Sequence, residues 1–393
     1  MTSTPSRPAL ASAAALQPIP RLELSLRLFR QLAESAAGKN VILSPFSIWL
    51  LLALLREGSE HITRAELSAL LGVGITDDVT SEVARFTRLF TSASVTLNVA
   101  NGIWVDPDCT IRAEFLAIAE QCYKATIDSF EHQPGQTVAK INDWVSAQTM
   151  GKIPFIVEQL DSAALLAAIN AVYFHGLWQI PFEPSLTQPR KFHLSNGIAK
   201  QVPMMHAKKY FRYFEDMSFQ VIWLPYDNSS WGMYVVLPKQ GIFSRALSKV
   251  ISSEQWTSRL MQPPTWEHLT ARSESVLVDL KLPRFRMESQ FDLKPVLQAL
   301  GLVSLFDADR ATLSGISPTI PLAVDQMRHK AFAEVTEEGT EAAAASFAGI
   351  MCTSSMWPRV ETPIHMTVDH PFAFVIQERG NPLPLFVGLV EEP

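Results

Sequence analysis

The chain is expected to fold as α+β, with large antiparallel sheets and helices packed mainly on one of them. Three observations predict this. Residues 22–37 place Leu22, Leu26, Leu28, Phe29 and Leu32 on one broad face at helical spacing. Residues 220–224 and 233–237 are apolar runs joined by a turn-rich Y-D-N-S-S, which is a hairpin signal. Val276, Val278, Leu280 and Leu282 alternate with Leu277, Asp279 and Lys281, the period of a half-exposed strand. The remaining elements follow in order. Residues 47–55 are almost wholly apolar and predict a helix buried on most sides. Residues 164–174, A-L-L-A-A-I-N-A-V-Y-F, end as a strand covered on both faces, and 371–376 read as another apolar strand.

A length of 393 residues allows about two or three domains on size alone. No Gly/Ser-rich linker, charge block or low-complexity tract divides the chain, so one domain over 21–393 is expected. A Pro/Ala/Ser-rich lead at 1–20 reads as a flexible arm. Hydrophobic content of 47% with 22 phenylalanines supplies a large core. A net charge of −6 argues against a nucleic-acid partner, which needs a basic face. No run of 18 apolar residues is present, so no membrane span is expected. The first 15 residues hold one basic side chain and are broken by Pro5 and Pro8, a poor secretory leader. Cys109, Cys122 and Cys352 are odd in number and widely spaced, which suits a reducing compartment. The expectation is an intracellular monomer, with leaderless release left open. A sequon at Asn228-Ser229-Ser230 pulls weakly the other way.

Enzyme chemistry leaves no trace in the sequence. It lacks H-E-x-x-H, G-x-S-x-G and a P-loop, and Gly72-Val73-Gly74 lacks the third glycine of a dinucleotide fingerprint. The nine histidines make no close pair suited to a metal, and no cofactor is expected. Cys352 and His365 lie near one exposed stretch, but a thiolate dyad needs rigid support that a loop does not supply.

Function concentrates in residues 337–346: Glu337, Glu338, Gly339, Thr340, Glu341, Ala342, Ala343, Ala344, Ala345 and Ser346. Composition alone makes this a helix, since alanine and glutamate are strong helix formers. As a strand it has a different logic. Thr340, Ala342, Ala344 and Ser346 share one face, all small and uncharged, while Glu341 falls on the wettable side. Gly339 supplies a backbone pivot. Such a segment can leave an exposed loop and slide into a sheet as an extra strand.

Other motifs stand in order along the chain: N-V-I-L-S-P-F-S-I at 40–48, I-N-D-W-V-S-A-Q-T-M-G-K-I at 141–153 and N-A-V-Y-F-H-G-L-W at 170–178. Phe182, Thr187, Phe192 and V-P-M-M at 202–205 follow, then L-P-R-F at 282–285, Asp292-Leu293, L-G-L at 300–302 and L-S-G-I-S at 313–317. H-K-A-F-A-E-V at 329–335, H-P-F-A-F-V-I at 370–376 and L-F-V-G-L-V at 385–390 close the series. Together they resemble the serpin family over nearly the whole chain, and residues 337–346 resemble the hinge of an inhibitory serpin.

The resemblance implies a serpin fold of about nine helices on three β-sheets, with an exposed reactive-centre loop over about residues 339–365. It implies inhibition of an elastase-, chymotrypsin- or trypsin-like serine protease as a suicide substrate. Alternatives are a non-inhibitory serpin acting as chaperone, carrier or storage protein, a cross-class inhibitor of cysteine proteases, or a protein acting only through its acidic surface. Ser44, Ser47, Asn170 and His329 match a polar cluster where the main sheet parts; read from the residues alone, they are a buried network serving stability. Trp178 matches the aromatic residue at the insertion point, and reads equally as a core tryptophan. Three positions depart from the family pattern: His61 stands for glycine, His175 for lysine and Thr312 for aspartate. Some relatives bind heparin through a basic helix, but residues 77–88 carry mixed charge, so no glycosaminoglycan partner is expected.

The family spacing sets the scissile bond fourteen positions after Gly339, between Thr353 and Ser354. The loop is long on its far side, and Met351, Met356 and Arg359 offer other sites. Cleavage after Arg359 would add about six residues of slack, ~20 Å of extended chain, and weaken the pull on a captured enzyme. The peptide released by a captured protease should therefore begin at Ser354 by mass spectrometry. A peptide beginning at Val360, with efficient trapping by a trypsin-like enzyme, would show that the reach argument fails.

Overall fold

In a computed structural model of the protein, the described residues are 20–36, 38–89, 95–131, 133–161, 163–227, 230–239, 272–340, 362–381 and 383–393. Helix α1 (Arg21–Ser35) buries the expected stripe of Leu22, Leu26, Phe29 and Leu32. Strand β1 (Val41–Leu43) leads into α2 (Pro45–Glu57). That helix starts where Ser44 Oγ accepts the Ser47 N–H at 3.2 Å and Pro45 takes the first helical position. All of α2 except Glu57 is buried, as its apolar sequence predicts. Helix α3 (His61–Leu71) ends at Gly72, whose φ of 72° is a left-handed C-cap. His61 itself has φ 45°, which explains why glycine suits this position in the family.

Helix α4 (Thr80–Leu89) is tied to α1 by an Arg21–Glu82 ion pair. Then come β2 (Val95–Val105), α5 (Ala113–Gln121), β3 (Thr126–Ser129) and α6 (Pro134–Gln148). The run predicted as a doubly covered strand is β4 (Leu166–Leu177), buried along most of its length. Strands β5 (Gln188–His193), β6 (Ala199–Glu215), β7 (Phe219–Pro225) and β8 (Trp231–Pro238) follow, with β7 and β8 forming the expected hairpin. The half-exposed strand is β9 (Glu274–Pro283), with Val278, Leu280 and Leu282 buried. The described chain continues through β10 (Phe285–Asp292), α7 (Lys294–Ala299), β11 (Gln326–Val335) and β12 (Gly339–Thr340). Strands β13 (Ile364–Thr367), β14 (Phe372–Glu378) and β15 (Phe386–Val390) complete it.

The strands form a six-stranded sheet, β10-β11-β12-β4-β2-β3, and a nine-stranded sheet, β1-β15-β14-β8-β7-β6-β9-β13 with β5 paired to β6. The described residues thus hold seven α-helices and two sheets, where the resemblance implied nine and three. The sheet count differs because β6 is 17 residues long. Its start pairs with β5, its middle with β9 and its end with β7, so one strand runs through what would otherwise be two sheets.

The centre of the six-stranded sheet, β4 and β11, is largely buried on both faces. Ala168, Val172 and Phe174 of β4 join the main core with Ala331, Ala333 and Val335 of β11. Ala167, Ile169, Ala171 and Tyr173 point the other way, into a second cluster with Phe332 and with Ile141 and Val145 of α6. Period-2 alternation along an all-apolar strand requires a layer on each side, and α6 supplies the outer one through Thr137, Ile141 and Val145. No helix among the described residues is long and apolar enough to cross a membrane. Cys109 and Cys122 are free thiols.

Candidate functional site

The central junction of the six-stranded sheet is parallel. Strands β4 and β11 pair from Ala167 with Gln326 to Tyr173 with Phe332. Past that point β12 lies between them, antiparallel to both: Thr340 pairs with Val335 and with Gly176, and Gly339 with Leu177. The chain leaving β11 reverses at once, the Thr336 N–H donating to Gly339 O at 2.8 Å. A Cβ at position 339 would stand 2.1 Å from Gly176 O and 2.8 Å from Leu177 Cα. Glycine is therefore required by close backbone approach. The sequence suggested a pivot instead, but Gly339 is not among the glycines of positive φ.

The first residues of the segment are held on every side. Trp178 donates its indole N–H to Thr336 O at 3.0 Å and its backbone N–H to Glu338 O at 2.8 Å. Its ring stacks on Tyr226 with centroids 4.8 Å apart and planes 6° from parallel. The Tyr226 hydroxyl meets Thr340 Oγ1 at 2.7 Å, and Thr340 is fully buried. Glu337 accepts from Arg284 Nε at 2.7 Å and from Thr187 Oγ1. Burial alone would raise the Glu337 carboxyl, but the hydrogen bonds from Arg284 and Thr187 outweigh it and hold the group below its usual range. Trp178 is thus both a buried tryptophan and a contact of Thr336 and Glu338. Tyr226, Arg284 and Thr187 were given no role from sequence. Tyr226 sits in a turn-rich link and looked like turn; Arg284 lay inside a quoted motif, where its charge beside an apolar run was the available signal. Residues 341–346, and Met351, Thr353, Ser354, Met356 and Arg359, lie outside the described residues.

Beneath the parallel junction the four polar residues singled out in sequence come together, all fully buried. The Ser44 N–H donates to His329 Nε2 at 3.1 Å, so that nitrogen carries no proton. The proton sits on Nδ1, which donates to Asn170 Oδ1 at 2.5 Å. Ser47 Oγ donates to the same oxygen at 2.8 Å. The Asn170 amide nitrogen donates to Ser47 O at 3.2 Å and to Asn101 Oδ1 at 2.6 Å. Asn101, a neighbour on β2, was missed because a lone asparagine in a strand carries no local signal. His329 and Asn170 are paired across the junction, so this network ties β11, β4, β2 and the start of α2.

The outer face carries a strap. The segment after α6 crosses the sheet, and Lys330 of β11, 1% exposed, donates to Phe155 O at 2.7 Å. The ammonium lies 3.8 Å from the Phe155 ring centroid and pairs with Glu288 at 2.6 Å. Gln290 donates to Ile156 O at 3.0 Å, and Asn142 clamps Val157 through both its amide groups. Separating β4 from β11 below β12 therefore disturbs contacts on both faces at once.

Comparison with known proteins agrees with this geometry. A family model described as serpin (serine protease inhibitor) matches residues 21–393. Leukocyte elastase inhibitor A of Rattus norvegicus is 35% identical over 377 residues, covering 94% of this chain and 97% of its own length. Leukocyte elastase inhibitor of Homo sapiens is 33% identical over 380 residues, covering 94% of this chain and 97% of its own. The crystal structure of Serpin48, a highly specific serpin of the insect Tenebrio molitor, superposes with a TM-score of 0.81 at 29% identity, covering 95% of this chain and 97% of that one.

The buried network makes stability depend on pH. Burial pushes the His329 imidazole down to about 3, against about 6.5 in the unfolded chain. Between those values the unfolded chain binds a proton that the native state refuses. Stability is therefore lost as pH falls from about 6.5 towards 3, by up to about 1.4 kcal/mol per pH unit from this group. The urea-unfolding midpoints of wild type and His329→Gln at pH 7.0, 5.5 and 4.5 should show a shallower fall in the variant. Equal slopes would show that His329 does not carry the acid sensitivity.

Proposed function

The chain belongs to the serpin family, and from that premise we propose that it inhibits a serine protease as a suicide substrate whose hinge inserts between β4 and β11. The supporting observation is β12: two residues already lie antiparallel between strands that are otherwise parallel neighbours. The target protease attacks a loop carbonyl and forms an acyl-enzyme. Cleavage frees the loop, and β12 lengthens downwards. Each added residue trades one parallel junction for two antiparallel ones, with better-aligned hydrogen bonds. About fourteen residues at ~3.3 Å each carry the tethered enzyme roughly 45 Å. Distortion of the enzyme then competes with hydrolysis of the ester.

The register supports the assignment of the inserting face. Extended from Thr340, it sets Ala342 between Ala333 and Phe174, and Ala344 between Ala331 and Val172. Those neighbours belong to the packed core, so only small residues fit. Ser346 arrives beside His329 and Asn170, where a hydroxyl meets the polar network. In this proposal Ser44, Ser47, Asn170 and His329 govern parting of the sheet, and Trp178 marks the insertion point. An elastase-like target is favoured by the names of the relatives and by the small Thr353 at the family spacing. We take the protein as a monomer in a reducing compartment, with the 339–365 loop on a single 21–393 domain and no heparin, nucleic-acid or membrane partner. Net charge and the mixed charge of 77–88 support the absence of heparin and nucleic-acid partners.

Mixing with elastase-, chymotrypsin- and trypsin-like enzymes should give an SDS-stable complex heavier than either partner with at least one of them. Ala342→Arg should convert the protein to a substrate, because the guanidinium must be buried unpaired at a cost of several kcal/mol. Glu341→Arg, on the opposite face, should leave complex yield nearly unchanged. Cleavage by every enzyme without a complex, or equal damage from both substitutions, would count against the proposal.

A further inference from the structure

Thr340 of β12 pairs with Gly176 of β4 and with Val335 of β11, antiparallel to both. The register continued by one residue therefore sets position 341, a glutamate, beside His175 on one side and Glu334 on the other. The same row reaches further across the sheet. Arg286 of β10 stands opposite Glu334, and Thr96 of β2 stands opposite His175. His175 and Glu334 lie two positions beyond Tyr173 and Phe332, so they share the outer face on which those two rings pack.

The charges of this row decide what an entering strand meets. Glu341 would stand next to Glu334, and like charges directly opposite are destabilising. Arg286 can offset Glu334. On the other flank the group in line to offset Glu341 is His175, and it does so only when protonated. In the native sheet that imidazole has no such neighbour. It is half-buried, and burial followed by the field of Lys152, from the segment after α6, holds it below its usual range. Glu334 is near enough to Tyr173 to add to the rise that burial gives its phenol.

We propose that His175 is a positioning residue for insertion, receiving the Glu341 carboxylate as the strand enters and taking up one proton from solvent as it does so. The inference rests on insertion between β4 and β11 as proposed above. His175 then titrates higher in the inserted state than in the native one. Between those two midpoints the inserted state holds a proton that the native state refuses. Insertion is therefore favoured as pH falls through that window, and the gain is complete below it. The charged groups that set the window are Glu341, Glu334 and Arg286 in the row and Lys152 from the segment after α6.

The test follows the His175 ring by NMR in the full chain with isotope-labelled histidine, intact and after nicking within residues 347–361 by a non-target protease. Loss of a resonance in His175→Gln identifies it, and the thermal unfolding midpoint of each sample is measured alongside. His175 should titrate at least about one pH unit higher in the nicked protein, and Glu341→Gln should remove at least about half of that difference. A raised midpoint with an unmoved His175, or the full difference surviving in Glu341→Gln, would overturn the inference and leave insertion standing. A midpoint that does not rise on nicking would count against insertion itself, and the inference would fall with it.

Discussion

The architecture turns on one junction, the parallel pairing of β4 with β11 at the centre of the six-stranded sheet. Parallel ladders are slightly weaker per residue than antiparallel ones. This junction is flanked by antiparallel partners, β10 beside β11 and β2 beside β4, so it is the central place where an added antiparallel strand would improve the pairing. Among the described residues, Gly339 and Thr340 begin that change. Under the proposed function, a sheet closed at its weaker junction is a state held by a barrier rather than by depth.

What holds the barrier can be named from contacts on the two faces. On the core side, the His329–Asn170–Ser47 network is fully satisfied, and parting the strands would expose buried donors and acceptors before any new partner arrives. On the outer side, Lys330 and Gln290 fasten the segment after α6 to β11 and β10, and Asn142 ties its Val157 back to α6. At the top, Trp178, Tyr226 and the Arg284–Glu337 pair fix where β12 starts. The same contacts that resist opening therefore also aim it, since the register of Thr340 determines which side chains an extending strand would bury.

Much of the fold was legible in local pattern. The α1 stripe, the buried α2, the β7–β8 hairpin and the alternation of β9 all follow from period and turn chemistry, and the structure reproduces them. The sheet count was not legible, because nothing in the composition of β6 announces that one strand will pair with three partners along its length. Gly339 was singled out as a backbone pivot: the sequence displays a missing side chain, whereas the close strand approach that would leave a Cβ 2.1 Å from Gly176 O arises only in the folded sheet. Asn101, Tyr226 and Arg284 escaped notice likewise, since each acts through a partner at least 53 positions away.

The central claim is that the native sheet stops short of its best pairing and that loop cleavage lets it proceed. The direct measurement is the thermal unfolding midpoint of the intact protein against the same protein nicked within residues 347–361 by a non-target protease. Insertion of the freed strand should raise the midpoint by more than about 10 °C, because the new ladder hydrogen bonds and buried contacts outweigh the entropy lost in ordering the strand. A midpoint that stays level or falls after complete cleavage would contradict the account, since the parallel junction would then be the sheet's resting state rather than an arrested one.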